Sequence, residues 1–161
     1  MNLQRMKNKS EGFTVIELLI VLVVIGIIAA IVISTFSGIR AKERNSTRQT
    51  DIQAIQTNLE AYYSQNGYYP SLANLNSPNW RAKNMTKLNP SNLLDPSASN
   101  KNTNVAVLVV KPAKDVYSYA VTNSDGNSCE SDQTACAKYT LTATFEGSVN
   151  GQKTYVKKNL D

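Results

Sequence analysis

The sequence predicts an α+β fold. One long amino-terminal helix, a membrane half followed by an amphipathic half, packs on a small antiparallel sheet of three to four strands. Three observations carry this expectation. From Leu18 to Ile33 no side chain is charged or strongly polar. Ile52, Ile55, Leu59 and Tyr62 then recur at spacings of three and four, the mark of one helix face. Tyr139-Thr140-Leu141-Thr142-Ala143-Thr144-Phe145 alternates at period two, and Asn150-Gly151 follows as a hairpin turn.

The first element is the apolar helix. With Phe13 to Glu17 included, the run reaches about 20 residues, enough to cross a hydrocarbon core of ~30 Å. Arg5, Lys7 and Lys9 precede it, as in a secretory signal. The run is too long for such a signal, however, and no A-x-A site follows it, so a retained span is expected. Arg40, Lys42, Arg44 and Arg48 flank the far end about as strongly, so the charge balance leaves the orientation open. Glu17 is the anomaly. An acid within a span costs ~2.5–3.5 kcal/mol when central and less near an end. It therefore calls for a partner or a role.

The helix is expected to continue beyond Ile33. From Ile39 to Tyr63 there is neither Pro nor Gly, and Asn66-Gly67 with Pro70 supplies the stop. A coiled coil would also give the Ile52–Tyr62 stripe, but the stripe runs too few heptads. Arg40, Arg44 and Arg48 lie one turn apart and read as a solvated or headgroup-facing stripe. The alternative is an electrostatic seam with acids such as Asp51 or Glu60 of a neighbouring subunit.

Residues 71–104 are rich in Asn, Ser, Pro and Leu. So long a connection is expected to hold short structure of its own, with Trp80, Leu93 and Leu94 as anchors. Tyr62, Tyr63, Tyr68 and Tyr69 read as packing and hydrogen-bonding residues. Strands are expected over Val105 to Val110, around Tyr117-Tyr119-Val121, over Tyr139 to Phe145, and from Gln152 to Lys157, with the threonines facing solvent.

The formal charge is +5, but the leader carries much of the excess, and the remainder is too mildly basic for a nucleic-acid footprint. There is no histidine, which removes the commonest general base and metal ligand. No P-loop, dinucleotide fingerprint or nucleophile–base pair stands in the sequence, so neither an enzyme nor a cofactor is expected. Cys129 and Cys136, with six residues between them, fit a disulfide in an oxidising compartment better than a zinc site. Asn123, Asp125, Asn127, Glu130 and Asp132 form an oxygen-rich loop with the ligand types of a calcium site. Gly126 does not fall where an EF-hand requires glycine, so a polar turn is the plainer reading.

Lys9-Ser10-Glu11-Gly12-Phe13-Thr14-Val15-Ile16-Glu17-Leu18-Leu19-Ile20 resembles a type IV prepilin (class III) signal. The close match extends through Arg40, and the family's general plan covers the rest more weakly. The resemblance implies a leader at 1–12, a transmembrane and filament-core helix at 13–38, and a globular head at 39–161. Within the head it implies helix at 39–66, an αβ-loop at 67–104 and sheet at 105–161. It implies cleavage by a prepilin peptidase between Gly12 and Phe13, and methylation of Phe13. Glu17 would then set the register between helices by pairing with a neighbour's new amine, or, less specifically, pair with the amine of its own chain. Gly26 matches a common glycine and would lend the helix flexibility. Where the family commonly has a proline, this chain has Ser34, so a proline kink is not available.

The implied partners are other copies in a helical filament, the peptidase, the pilus assembly machinery and membrane lipid. The implied location is the cytoplasmic membrane as a single-pass precursor, then the cell surface. A pseudopilin of a type II secretion system is the alternative. A membrane-anchored adhesion or binding domain that never polymerises is a second one.

Overall fold

The computed structural model describes residues 12–105, 107–131 and 136–160. The basic leader residues and Asp132 lie outside them. The chain divides into two units, Met1–Ile39 and Arg40–Asp161. Among the described residues, three α-helices, α1 (Val15–Asn66), α2 (Leu72–Asn76) and α3 (Pro78–Asn84), precede one 3₁₀ turn (Pro90–Leu93). Three strands follow, β1 (Ser118–Asn123), β2 (Cys136–Val149) and β3 (Gln152–Lys158). They form one antiparallel sheet in the order β1-β2-β3. The expected α+β class is what the chain adopts.

Each helix starts and stops for a local reason. Gly67 ends α1 at φ 76°, a conformation glycine takes without a Cβ penalty, and its N–H donates to Tyr63 O at 2.7 Å. Ser71 caps α2 by accepting from Asn74 N–H at 3.1 Å. Ser77 caps α3 by accepting from Trp80 N–H at 3.3 Å, and Pro78 supplies the first helical position. These short elements are the local structure expected of the long connection. Leu93 is fully buried and Trp80 packs against the core, while Leu94 is only half-buried. Leu75, Met85 and Leu88 join them in the core.

In the Arg40–Asp161 unit, Ile52, Ile55, Leu59 and Tyr62 are buried against the inner face of the sheet. That face presents Tyr119 and Val121 from β1, with Tyr117 just before it, and Tyr139, Leu141 and Ala143 from β2. The alternation read from the sequence thus faces inward as expected. The turn at Asn150 (φ 51°) and Gly151 (φ 78°) joins β2 to β3, with Val149 opposite Gln152. Gln53 Nε2 donates to Tyr155 OH at 2.9 Å and Gln56 Nε2 to Lys158 O at 2.8 Å, seating β3 on α1.

Two expectations about the sheet are corrected. Val105 to Val110 is not a strand. Asn76 takes its backbone instead: the Asn76 Oδ1 accepts from the Val107 and Leu108 N–H groups at 3.0 and 2.9 Å, and its Nδ2 donates to Leu108 O. Among the described residues of this run, only Val109 pairs with β1, in an isolated parallel bridge to Ser118. The threonines do not form a fully solvated face. Thr142 is buried between its partners Ser118 and Val156, and Thr140 and Thr144 are half-buried.

The tyrosines pack and bond, as expected. Tyr63 stacks on Tyr69 at 4.5 Å, and Tyr69 meets Tyr139 edge-on at 4.7 Å. Tyr69 and Tyr139 donate to the two carboxylate oxygens of Glu60 at 2.9 and 2.6 Å. Tyr119 donates to Pro70 O at 2.7 Å.

Candidate assembly site

Within the Met1–Ile39 unit, the described helix is apolar on every side. From Phe13 to Val32 all side chains are exposed, and the large ones range from 48% at Val24 to 86% at Val15. Val15–Val32 is long and apolar enough to cross a membrane by length and composition. A helix that is hydrophobic all round is stable only when surrounded by lipid or by other apolar helices. Gly26 lies inside this helix, and an added Cβ there would meet open space. Its place therefore does not come from packing within this chain.

The start of the helix holds a reciprocal cap. Thr14 Oγ1 accepts from Glu17 N–H at 3.3 Å, and Glu17 Oε2 accepts from Thr14 N–H at 3.1 Å and from Thr14 Oγ1 at 3.0 Å. This is a capping box, with Thr14 as the N-cap and Glu17 three residues on. It was legible as Thr-x-x-Glu ahead of an apolar run, and the sequence reading missed it. The box ties Glu17 to the helix start through Oε2. Among the described residues no hydrogen bond reaches Oε1. Phe13 lies before the cap and outside the helix. It is not the one-turn neighbour of Glu17 that pairing within one helical chain assumes. Gly12 and Phe13 are both exposed, so the peptide bond between them is accessible.

The arginine stripe is corrected. Arg48 is fully buried and belongs to neither a lipid-facing surface nor a seam between subunits. Its Nε and Nη2 donate to the two Asp95 oxygens at 2.7 and 2.8 Å. Its Nη1 donates to Asn45 Oδ1 at 2.8 Å and lies 2.9 Å from Glu146 Oε1. Arg44 makes a second fork, Nε to Glu146 Oε1 at 2.7 Å and Nη2 to Glu146 Oε2. Ser97 bridges the two acids, its Oγ donating to Glu146 at 3.0 Å and its N–H to Asp95 at 2.8 Å. Helix α1, the connection before β1, and β2 are thereby clamped at one point. The Arg44 hydrogen bond is the main reason that the Glu146 carboxyl falls from 4.5 to about 2, with Arg48 and Ser97 adding to it against burial.

The acids named as partners for a neighbour are also used internally. Asp51 accepts from Tyr117 OH at 2.7 Å and from Asn92 Nδ2 at 2.8 Å. Burial raises the Asp51 carboxyl despite these bonds. It also raises the Tyr117 hydroxyl, with Asp51 adding to the effect. Glu60 serves Tyr69 and Tyr139.

Cys129 and Cys136 are both buried and grip the same segment. Leu72 N–H donates to Cys129 O at 3.2 Å, and Tyr69 N–H donates to Cys136 O at 2.8 Å. In the oxygen-rich loop, Asn123 Oδ1 already accepts from the Asp125 and Asn127 N–H groups at 3.0 and 2.8 Å. That is the geometry of a polar turn around Gly126.

Comparison with known proteins bears on the amino-terminal segment. Residues 7–33 match the family model of the prokaryotic N-terminal methylation motif. The chain is 36% identical over 74 residues to the type IV major pilin protein PilA of Myxococcus xanthus, which is 46% of this chain and 34% of that protein. It is 33% identical over 67 residues to the type II secretion system core protein G of Escherichia coli, 42% of this chain and 46% of that protein. It is 32% identical over 65 residues to the core protein G of Aeromonas hydrophila, 40% of this chain and 46% of that protein. The chain thus spans less than half the length of these relatives. No solved structure gives a significant match. The amino-terminal part of the chain thus carries the methylation motif and is similar both to a type IV major pilin and to core proteins of type II secretion systems.

Proposed function

We propose that this chain is a structural subunit, not an enzyme, of a type IV pilus. A prepilin peptidase cleaves it between Gly12 and Phe13 and methylates the amine of Phe13. The chain waits in the cytoplasmic membrane as a single-pass precursor and then polymerises through the Phe13–Val32 segment into a surface filament. The observation that carries this reading is the capped, wholly exposed apolar helix. In a bundle of such helices water is excluded, and a carboxylate there needs a partner. Glu17 Oε1 would receive the methylated amine of a neighbour, fixing the stagger between helices as buried polar groups do in coiled coils.

The relatives also include core proteins of type II secretion systems. They support a second reading, a periplasmic pseudopilus built by the same helix packing.

The test separates the cap from the charge. Thr14→Val removes the hydroxyl half of the box and keeps the acid, at a cost of about 1 kcal/mol to the helix start. Glu17→Ala removes both the cap and the acid while making the span more apolar, so insertion should persist. Normal precursor levels with few filaments are expected from Glu17→Ala, and near-normal filaments from Thr14→Val. Parental filament yield from Glu17→Ala would refute the pairing role.

A further inference from the structure

Helix α3 carries a buried cation that nothing in the described structure neutralises. Arg81 is 4% exposed. Its Nη1 donates to Leu75 O at 2.7 Å and its Nη2 to Thr103 O at 2.7 Å. Its Nε is buried and has no hydrogen-bond partner among the described residues. Burial alone accounts for the lowering of its pKa, with no carboxylate acting on it. Arg48 shows how this chain otherwise treats a buried guanidinium: Asp95 takes it on two oxygens, and Glu146 adds a third contact. Among the described residues no such acid is at hand for Arg81. From Ala61 to Lys114 the sequence holds Arg81, Lys83, Lys87, Lys101, Lys111 and Lys114 against Asp95 alone, and Asp95 is committed to Arg48.

Arg81 lines a cavity of about 470 Å³ that is also lined by Asn79, Thr86, Thr103 and Asn104. A cavity with a few polar side chains around an uncompensated charge has the make-up of a ligand site. We propose that this cavity binds a carboxylate, which completes Arg81 as Asp95 completes Arg48. The guanidinium supplies the positive charge at the cavity wall, and Asn79, Thr86 and Asn104 can hold the remainder of the ligand. The carboxylate comes either from a free small molecule or from an acidic side chain of a second copy. The site stands independently of the filament reading.

Trp80 is the one tryptophan of the chain, adjoins Arg81 on α3, and packs 5.3 Å from the Tyr62 ring. Its emission reports on the site. The full chain, dispersed in detergent, is titrated with acetate against chloride at constant ionic strength. A saturable change in Trp80 emission is expected, half-complete at millimolar acetate. It should be absent in Arg81→Met and roughly tenfold weaker in Asn104→Ala. Arg81→Met gives up the hydrogen bonds to Leu75 O and Thr103 O but also removes a buried charge that no carboxylate balances, and so is expected to fold. Should it not fold, equal acetate affinity in Asn104→Ala, Thr86→Ala and the parent chain would overturn the site. No saturable response in the dispersed parent, or the same response to chloride, would also overturn it. Repeating the titration on assembled fibres separates the two sources. A response in dispersed chain that disappears in fibres assigns the cavity to a neighbouring copy, and a response in both assigns it to a free carboxylate. Failure to form fibres would count against the filament reading alone.

Discussion

Removing Asp95 from beneath Arg48 should damage the Arg40–Asp161 unit far more than replacing both partners together. Arg48 is fully buried, and Asp95 takes two of its donors at 2.7 and 2.8 Å. Stripping one partner from a buried pair costs about 3–5 kcal/mol, because an uncompensated charge is left inside. Glu146 remains 2.9 Å from Nη1, so the lower part of that range applies to Asp95→Ala. An unfolding entropy of roughly 2.1 cal/mol/K per residue, summed over a unit of this size, comes to about a quarter of a kcal/mol per degree. A loss of about 3 kcal/mol therefore lowers Tm by roughly 12 °C. The double variant Arg48→Met, Asp95→Leu fills the site with apolar groups and leaves no orphaned charge, so it should stay within about 4 °C of the parent. Thermal unfolding of the detergent-dispersed chain, followed by Trp80 fluorescence, measures both. A single variant that melts within about 4 °C of the parent, or a double variant that falls as far as the single, would refute the reasoning.

Acid should unfold this unit partly through Glu146. Its carboxyl is held at about 2 in the folded chain against an ordinary 4.5, chiefly by the Arg44 hydrogen bond. A group depressed on folding stabilises above its unfolded pKa, so this contribution is complete above about pH 4.5 and lost on descent towards about 2. Asp51 runs the other way: burial raises it, so its proton favours the folded state and its contribution declines as pH rises through its folded value. Glu146→Gln should flatten the fall of Tm between pH 5 and 2, and an unchanged slope would contradict this. Cys129 and Cys136 are expected to form a disulfide once the chain is exported; closing so short a loop would stabilise it by roughly 2–3 kcal/mol. Alkylation of unreduced mature protein should find no accessible thiol even after denaturation, and two labelled thiols would contradict the bridge.

What the sequence made legible was periodic. The apolar run, the stripe Ile52-Ile55-Leu59-Tyr62, the Tyr139–Phe145 alternation and the Asn150-Gly151 turn all depend on neighbours within a few residues, and each stands in the fold as expected. The capping box at Thr14 and Glu17 was equally local and was overlooked because the acid was read for its charge alone. The arginine stripe was not legible. Arg48 meets Asp95 47 positions on, and Arg44 meets Glu146 102 positions on, so no spacing along the helix could show that these cations turn inward. The same distance hid the fate of Val105 to Val110. A polar side chain 31 residues earlier, that of Asn76, takes the Val107 N–H, which a strand would have given to a ladder.

The most direct test of the proposed function is terminal analysis of surface filaments. Filaments sheared from cells are purified, imaged, and their main subunit is analysed by intact mass and amino-terminal fragmentation. The expected result is this chain beginning at Phe13 with one methyl group on its amine. Filaments that lack the chain, or a mature chain that retains Lys9 and Ser10, would contradict the reading.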